Sequence, residues 1–551
     1  MRLKSTLGIA ALAAVLALTG CTGGGGDQNE SDGAALTIAK PDGAIAAESN
    51  NPWIGDSSAL KLGYANTLFE PLAFVNVIAD KPVTPWLATE IEWAADYKSV
   101  TVTAREGVTW NDGEPFTADD IKFTFELLRD NPAIEPAALG ITDVTVDGDK
   151  VTISFENSVF VKQDKVLEKF IVPEHIWKDV EDVTTETNPE PVGTGPYTLT
   201  SWTSQSVKLD QRDDYWGGEL AVPTLYFVSY NDNTALTTAL ANGDADWAQG
   251  FIPNIEDAYL SKDEDNQYWA PAGLGVDALW FNTTSKPFDD KALRQAMNLI
   301  VDRAKHLEVA REGSIPALTS VTGLPTPAGD PFIVDEFQGQ EYEVDIDGAK
   351  QILTDAGYTW DADEKLIDPD GEQVTFTIQV PQGWSDYVTG ITLIAEDVKQ
   401  IGIDATVDTP DVDTWWAAKG TGDFQAILHW TDTGLTPWDI YSNVMDGTRL
   451  VPLGEQSEMY NFGRYDNAEV TASLADYANA ADDATRAAAL EEIQTAFVDE
   501  AVALPIGTRP FIGEFNTRNY VGWPSDEDPY AVPEPTRPQM LLVLTKLQAA
   551  E

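Results

Sequence analysis

Between residues 99 and 104 the chain alternates, with Val100, Val102 and Ala104 on one side and Ser99, Thr101 and Thr103 on the other. A period of two in β-branched residues predicts a strand, and 151–155 repeats the pattern. Asp147-Gly148-Asp149, between the apolar-alternating runs 144–146 and 151–153, reads as a hairpin turn. The spacing then lengthens to that of a helix: Leu293, Ala296, Met297 and Ile300 share one face, with Asp289 or Asp290 placed to cap it. A strand over 374–380 leads through Pro381, Gln382, Gly383 and Trp384 into a helix over 389–400. A second strand over 403–407 completes a βαβ unit. Residues 424–430 read as a short buried strand, and 482–500, rich in Ala and Glu, as a helix. Strands and helices alternate in both halves and no repeat of solenoid period is present. The expected fold class is therefore α/β, in two lobes each built on its own sheet.

The first residues depart from this pattern. Arg2 and Lys4 precede an uncharged apolar run from Leu7 to Leu18, too short to span a bilayer comfortably, which needs about 20 apolar residues. A charged start, an apolar middle and small residues describe a secretory signal. Leu18-Thr19-Gly20-Cys21 resembles a bacterial lipoprotein cleavage box, which implies a signal over 1–20 and a lipidated Cys21. Gly23 to Gly26 and a polar run follow, as a flexible tether over 21–33 would. An ordinary signal peptide with an incidental cysteine is the competing reading.

Composition narrows the chemistry. Cys21 is the only cysteine, so the remainder has no disulfide and no thiolate metal site. With 34 basic and 91 acidic residues the formal net charge is -57, which repels phosphate backbones and argues against a nucleic-acid partner. The acids are dispersed, which describes a solvated surface rather than a site. No nucleophile elbow, phosphate loop, H-E-x-x-H helix or dinucleotide fingerprint is present. His175, His306 and His429 are scattered. Asp361, Asp363, Asp368 and Asp370 are spaced like fragments of calcium loops, but without the terminal glutamate they read as turns. No cofactor or metal is expected.

Several segments together resemble the extracytoplasmic solute-binding proteins of family 5, the dipeptide, oligopeptide and nickel group of ABC importers. Trp110 to Phe125 (WNDGEPFTADDIKFTF), Gly193-Thr194-Gly195-Pro196-Tyr197 and Arg212 to Gly217 (RDDYWG) are similar to three of its blocks. Ala239 to Asp246, Phe281 to Arg303 and Ala349 to Tyr358 are similar to three more, in the family's order. The resemblance implies a two-lobed cluster C periplasmic-binding-protein fold with an extra subdomain: lobe I over 34–285, lobe II over 286–507, and a return to lobe I over 508–551. It also implies a monomer that does no chemistry, binds its ligand between the lobes and delivers it to membrane permease subunits.

Peptide binders of the family carry an aspartate-proline pair after the strand equivalent to 424–430. Here the stretch runs from His429 to Tyr441. Asp432 remains but the pair is gone, and Gly434, Thr436, Pro437 and Trp438 resemble the oligosaccharide branch, as do 522–533 and Gly463-Arg464. A pyranose offers an apolar face and a ring of hydroxyls, which tryptophan and amide or carboxylate groups match. The candidate platforms are Trp53, Trp247, Trp269, Trp384, Trp430 and Trp438, with Trp415 and Trp416 ranked below them. Trp384 and Trp430 are favoured because each follows or ends a strand at its carboxyl end. The polar candidates are Asn66, Asn282, Gln382 and Asp432. For each tryptophan a core role is the alternative. Three functions stand: an oligosaccharide receptor, a peptide receptor with Asp432 as amine partner, and an exported glycoside hydrolase.

Overall fold

The computed structural model describes residues 33–551 apart from 42, 80 and 458–460. Cys21, the expected signal and all but the end of the expected tether lie outside the described residues. No described helix is long and apolar enough to cross a membrane.

The expected elements form, with shifted ends. Ser99–Ala104 pairs antiparallel with Lys150–Phe155, and Ile141–Asp147 turns into that strand through Gly148, whose φ of 67° suits glycine. Asp290 caps Lys291–Ile300 by accepting from the Ala292 N–H at 2.8 Å, and Leu293, Ala296, Met297 and Ile300 are buried. Thr375–Gln379 and Asp404–Asp408 are parallel neighbours joined by a helix. That helix, Ser385–Asp397, begins ahead of the expected 389 because Trp384 already stands at its N-cap. Asp482 caps Asp483–Glu500.

Among the described residues three larger sheets carry the chain. The first has seven strands in the order Asn266–Trp269, Gly513–Asn516, Trp247–Ala248, Leu36–Lys40, Thr224–Ser229, Ser206–Gln211 and Tyr197–Trp202. The second has five, in the order Asp404–Asp408, Thr375–Gln379, Ala426–Trp430, Val276–Phe281 and Ala503–Thr508. The third is an antiparallel sheet of four, Ala88–Trp93, Ser99–Ala104, Lys150–Phe155 and Ile141–Asp147, which the helix Ala118–Asp130 covers. It has its own apolar core around Trp110 and Trp177 and is inserted in the chain between Leu36–Lys40 and Tyr197–Trp202, the first two strands of the seven-stranded sheet in sequence.

The motif segments near the N-terminal half knit this insertion to the first sheet. Gly193 and Gly195 press on chain: a Cβ on either would lie 1.9 Å from Leu68 O or 2.2 Å from Thr67 O. Arg212 is buried and donates to the carbonyls of Thr109 at 3.2 Å and Trp110 at 3.1 Å. Glu70, fully buried, accepts from Trp86 Nε1, Tyr215 Oη and Trp216 Nε1 at 2.7, 2.6 and 2.8 Å. A buried carboxylate is tolerated only when its lone pairs are answered in this way.

The chain crosses between the two large sheets twice. The outward crossing, 270–275, delivers Val276–Phe281 into the five-stranded sheet, ahead of the boundary expected at 286. The return crossing, 509–512, leads from Ala503–Thr508 to Gly513–Asn516. The two crossings are bonded to each other: Arg509 N donates to Gly275 O at 2.9 Å and Phe511 N to Pro271 O at 3.0 Å. Gly273 and Gly275 are needed there, because a Cβ would meet Phe511 at 2.6 Å or Thr433 Oγ1 at 2.5 Å.

Candidate ligand cleft

The carboxyl ends of Thr375–Gln379 and Ala426–Trp430 lie beside these crossings and face the first lobe. Trp384 follows one strand and Trp430 ends the other. The helix Val412–Thr421 adds Trp415 and Trp416. The four indoles form one group: Trp430 lies 6.0 Å from Trp384, 6.2 Å from Trp415 and 5.9 Å from Trp416, centroid to centroid. Trp415 is fully buried and acts as the keel, Trp384 and Trp430 are half-buried, and Trp416 is 38% exposed. The shelf thus presents Trp384, Trp416 and Trp430 outward. Trp416, ranked low by sequence, is its most open member.

Polar groups fix the shelf. His429 stacks on Trp430 at 4.1 Å and on Trp415 at 5.3 Å. Its Nδ1 donates to Trp430 O at 2.7 Å, and burial pushes its pKa well below the usual range, so the ring is neutral. The Arg509 guanidinium lies 4.3 Å from the Trp430 ring centre, and the Lys419 ammonium 4.4 Å from that of Trp416. Asp432, two residues beyond Trp430, donates its N–H to Asn443 Oδ1 at 2.7 Å and leaves its carboxylate half-buried.

From the first lobe, the segment 534–537 brings Arg537 within the electrostatic influence of Asp432. Arg537 meets Glu534 at 3.2 Å, lies 5.3 Å from the Phe511 ring and keeps 36% of its side chain open. Burial works against its charge, but Glu534, Asp432 and Glu168 outweigh it and raise its pKa. Asp439 of the second lobe is almost wholly buried, which pushes its carboxyl from an ordinary 3.8 up to about 7. Lys165 and Lys162 pull it back, while Asp164 and Asp432 push it further.

The lobes touch on both sides of the cleft. Tyr268 Oη donates to Ser314 O at 3.0 Å, and Asn233 Nδ2 reaches Ser385 Oγ at 3.4 Å and Asp386 Oδ1 at 3.5 Å. The inserted subdomain meets the second lobe through Arg449 Nη1 to Pro136 O at 3.1 Å and Arg486 over Phe160 at 3.7 Å. Trp438 sits at that contact, with the Lys162 ammonium 6.0 Å from its ring and its Nε1 donating to Leu474 O at 3.0 Å.

Several sequence candidates lie elsewhere. Trp247 is fully buried in the first lobe, where its Nε1 donates to Pro533 O at 2.7 Å and its ring packs on Trp523 at 5.1 Å. Trp53 is buried against Trp177 at 5.0 Å in the inserted subdomain. Asn66 spends its amide on the Gly63 and Thr536 carbonyls, and Asn282 on those of Gly422 and Phe424. These four are core or loop-tying residues: Trp247, Asn66 and Asn282 spend their donors inside the fold, and Trp53 is buried in the core of the inserted subdomain. Trp269 is half-buried, bonded to Asp526 at 2.7 Å and packed on the first-lobe core. Gln382 is exposed at the turn entering Ser385–Asp397, next to the Asn233 contact. Arg509, Arg537, Asp439 and Lys162 escaped sequence reading. For Arg509 a signal existed, since it directly follows a strand at its carboxyl end, as Trp430 closes one.

The acidic turns have local explanations. Asp361 Oδ1 accepts from the N–H groups of Asp363 and Lys365 at 2.9 and 2.8 Å, and Asp368 Oδ1 from those of Asp370 and Glu372 at 3.0 and 2.8 Å.

Known proteins share this architecture. The family described as "Bacterial extracellular solute-binding proteins, family 5 Middle" matches residues 82–449. Protein XP55 of Streptomyces lividans is 29% identical over 430 residues, covering 76% of this chain and 75% of its own. The nickel-binding periplasmic protein of Escherichia coli (strain K12) is 25% identical over 456 residues, covering 80% and 83%. Among solved structures, the mannohexaose-bound periplasmic oligopeptide-binding protein of an oligopeptide ABC transporter from Thermotoga maritima superposes with a TM-score of 0.83 at 25% identity, over 94% of this chain and 99% of that one. The oligopeptide-binding protein AppA of Bacillus subtilis, in complex with a nonapeptide, gives 0.76 at 20% identity over 94% and 99%, a likeness of fold.

Proposed function

The chain belongs to the family 5 bacterial extracellular solute-binding proteins and is a substrate-binding protein of an ABC importer; from that premise we propose that its ligand is a neutral oligosaccharide of the β-glucoside or cello-oligosaccharide type. The observation that carries this reading is the shelf of Trp384, Trp416 and Trp430 at the strand ends beside the crossings. Flat aromatic area matches pyranose faces, and each of the three rings keeps part of its surface open. The charges beside the shelf support the same reading. Arg537 is answered by Glu534, and Arg509 Nη1 stands 3.8 Å from Asp277 Oδ1. With its cations paired inside the protein, the cleft suits hydroxyls better than the two charged ends of a peptide.

Binding favours the state in which both lobes contact the ligand, by the difference in affinity between open and closed forms. The protein hands the ligand on unaltered. Cys21 and the glycine run after it support a lipid anchor that holds the receptor at the outer face of the membrane, beside the permease, as a monomer. Replacing Cys21 by Ser is expected to release the protein from membranes with ligand binding intact.

A titration of intrinsic tryptophan fluorescence with cello- and manno-oligosaccharides and with a peptide library tests the assignment. The expected result is a saturable response to a sugar and recovery of that sugar intact. A response to peptides alone sinks the sugar reading, and recovery of shortened sugar sinks the binding-only reading. The peptide reading retains one favouring observation: Asp432 is among the acids that raise the pKa of Arg537 in the opposite lobe, and an acid and a base are the two charge types that a peptide's ends require.

A further inference from the structure

A chain of charged and polar contacts runs from the shelf, past the crossings, to the contact between lobes. It begins with the Arg509 guanidinium 4.3 Å from the Trp430 ring centre. Arg509 stands on the return crossing itself, its N–H bonded to Gly275 of the outward crossing at 2.9 Å. Its Nη1 stands 3.8 Å from Asp277 Oδ1, and Asp277 is paired across the strands with Trp430. Asp277 is nearly inaccessible; it accepts from Tyr387 Oη at 2.6 Å and pairs with Arg311. The same Arg311 pairs through its other Nη with Asp386, which also accepts from Asn233 of the first lobe at 3.5 Å.

We propose that Arg509 is a positioning residue that couples the tryptophan shelf to lobe closure through Asp277, Arg311 and Asp386. The physical case is one of shared partners. Arg311 is buried and divides its guanidinium between two buried carboxylates, so a shift in either acid disturbs the other. Asp277 likewise divides itself among Arg311, Tyr387 and Arg509. A ligand that displaces Trp430 moves the guanidinium lying against it. That movement alters the field at Asp277 and, through Arg311, the orientation of Asp386 toward Asn233. In the opposite direction, separation of the lobes removes the Asn233 donor from Asp386. Members of one network of this kind respond non-additively, whereas distant and independent sites add. The proposal rests on the reading that Trp430 faces the ligand, but the coupling itself is measurable without any ligand.

The experiment is a double-mutant cycle read by 19F NMR on the fluorotryptophan-labelled protein, with W430F assigning the Trp430 resonance. Asn233 does not touch Trp430, yet N233A is expected to displace or split that resonance in the native background. The displacement is expected to fall at least about twofold in R509Q, as coupled members of a network require. R509K, which keeps the charge beside Asp277 and is the milder replacement should R509Q fold poorly, is expected to recover part of it. A merely structural role for Arg509 would lower the urea midpoint and leave the N233A displacement unchanged. That result, or an N233A spectrum in which Trp430 does not move, overturns the proposal. The shelf reading fails separately: unchanged oligosaccharide affinity in W430A would sink it while leaving the cycle to decide the coupling.

Discussion

Trp247 of the first lobe and the shelf tryptophans of the second are held in opposite ways. In the first lobe Trp247 is closed on every side: no surface is left, its Nε1 is spent on Pro533 O at 2.7 Å, and its ring lies against Trp523. In the second lobe Trp384, Trp416 and Trp430 lean on one another and on buried Trp415, and keep part of each ring open. Both groups sit next to turns and acids in the sequence, so local composition does not separate them. What separates them is whether the following chain folds back. Residues 513–516 and 520–533 return over Trp247, whereas beyond Trp430 the chain turns away at Asp432 to the helix Trp438–Met445. An indole is closed into the core when a later stretch of chain covers it, and keeps part of its ring open when only its neighbours hold it.

The largest expected effect breaks the comparison on the first-lobe side. Trp247→Ala should cost about 3–5 kcal/mol of stability in urea unfolding, the usual range for a buried tryptophan. The protein that remains folded should bind as before; a selective loss of affinity at unchanged stability would make Trp247 a ligand residue after all. Next comes Trp430→Ala, which should weaken oligosaccharide binding at least tenfold, about 1.4 kcal/mol, with a smaller loss of stability because its ring is already half-open. Calorimetry beside an unfolding curve separates the two.

A pH dependence sharpens the contrast further. The Asp439 carboxyl, at about 7 in the fold against an ordinary 3.8, binds its proton more tightly folded than unfolded. Its contribution to stability is therefore complete below about 4 and is lost as pH rises through about 7. Glu168, raised by burial to about 8, extends the same trend upward. The urea midpoint should fall between these limits, and D439N, unable to ionise, should fall less steeply. A slope identical to that of the native chain would mean that the interface does not hold Asp439 as described. The smallest effect is that of Asp432→Asn, which should change sugar affinity by less than about threefold, since a neutral ligand needs a hydrogen-bonding group there and not a charge.

Much of the fold was legible because alternation and helical spacing are local. The strand at 99–104, the cap at Asp290 and the βαβ unit after 374 all follow from neighbouring residues. The outward crossing was not: it delivers Val276–Phe281, which is buried at every position, Asp277 included, so the strand shows no alternation to say which sheet it joins. The site was half legible. Trp384 and Trp430 could be placed because strand ends are visible in sequence. Trp247, Asn66 and Asn282 could not, because their partners at Pro533, Thr536 and Gly422 lie far along the chain. The family-like segments around Gly193 and Arg212 serve backbone approach and the Glu70 cluster, so a likeness there speaks of fold and not of ligand.

The most direct test of the account is a calorimetric titration of the native protein and W430A with matched hexasaccharides and hexapeptides. The account predicts saturable heat from a β-linked hexasaccharide, weakened at least tenfold in W430A, about 1.4 kcal/mol, and none from the peptides. Tight binding of a hexapeptide with no heat from any sugar, or a sugar affinity indifferent to W430A, would contradict it.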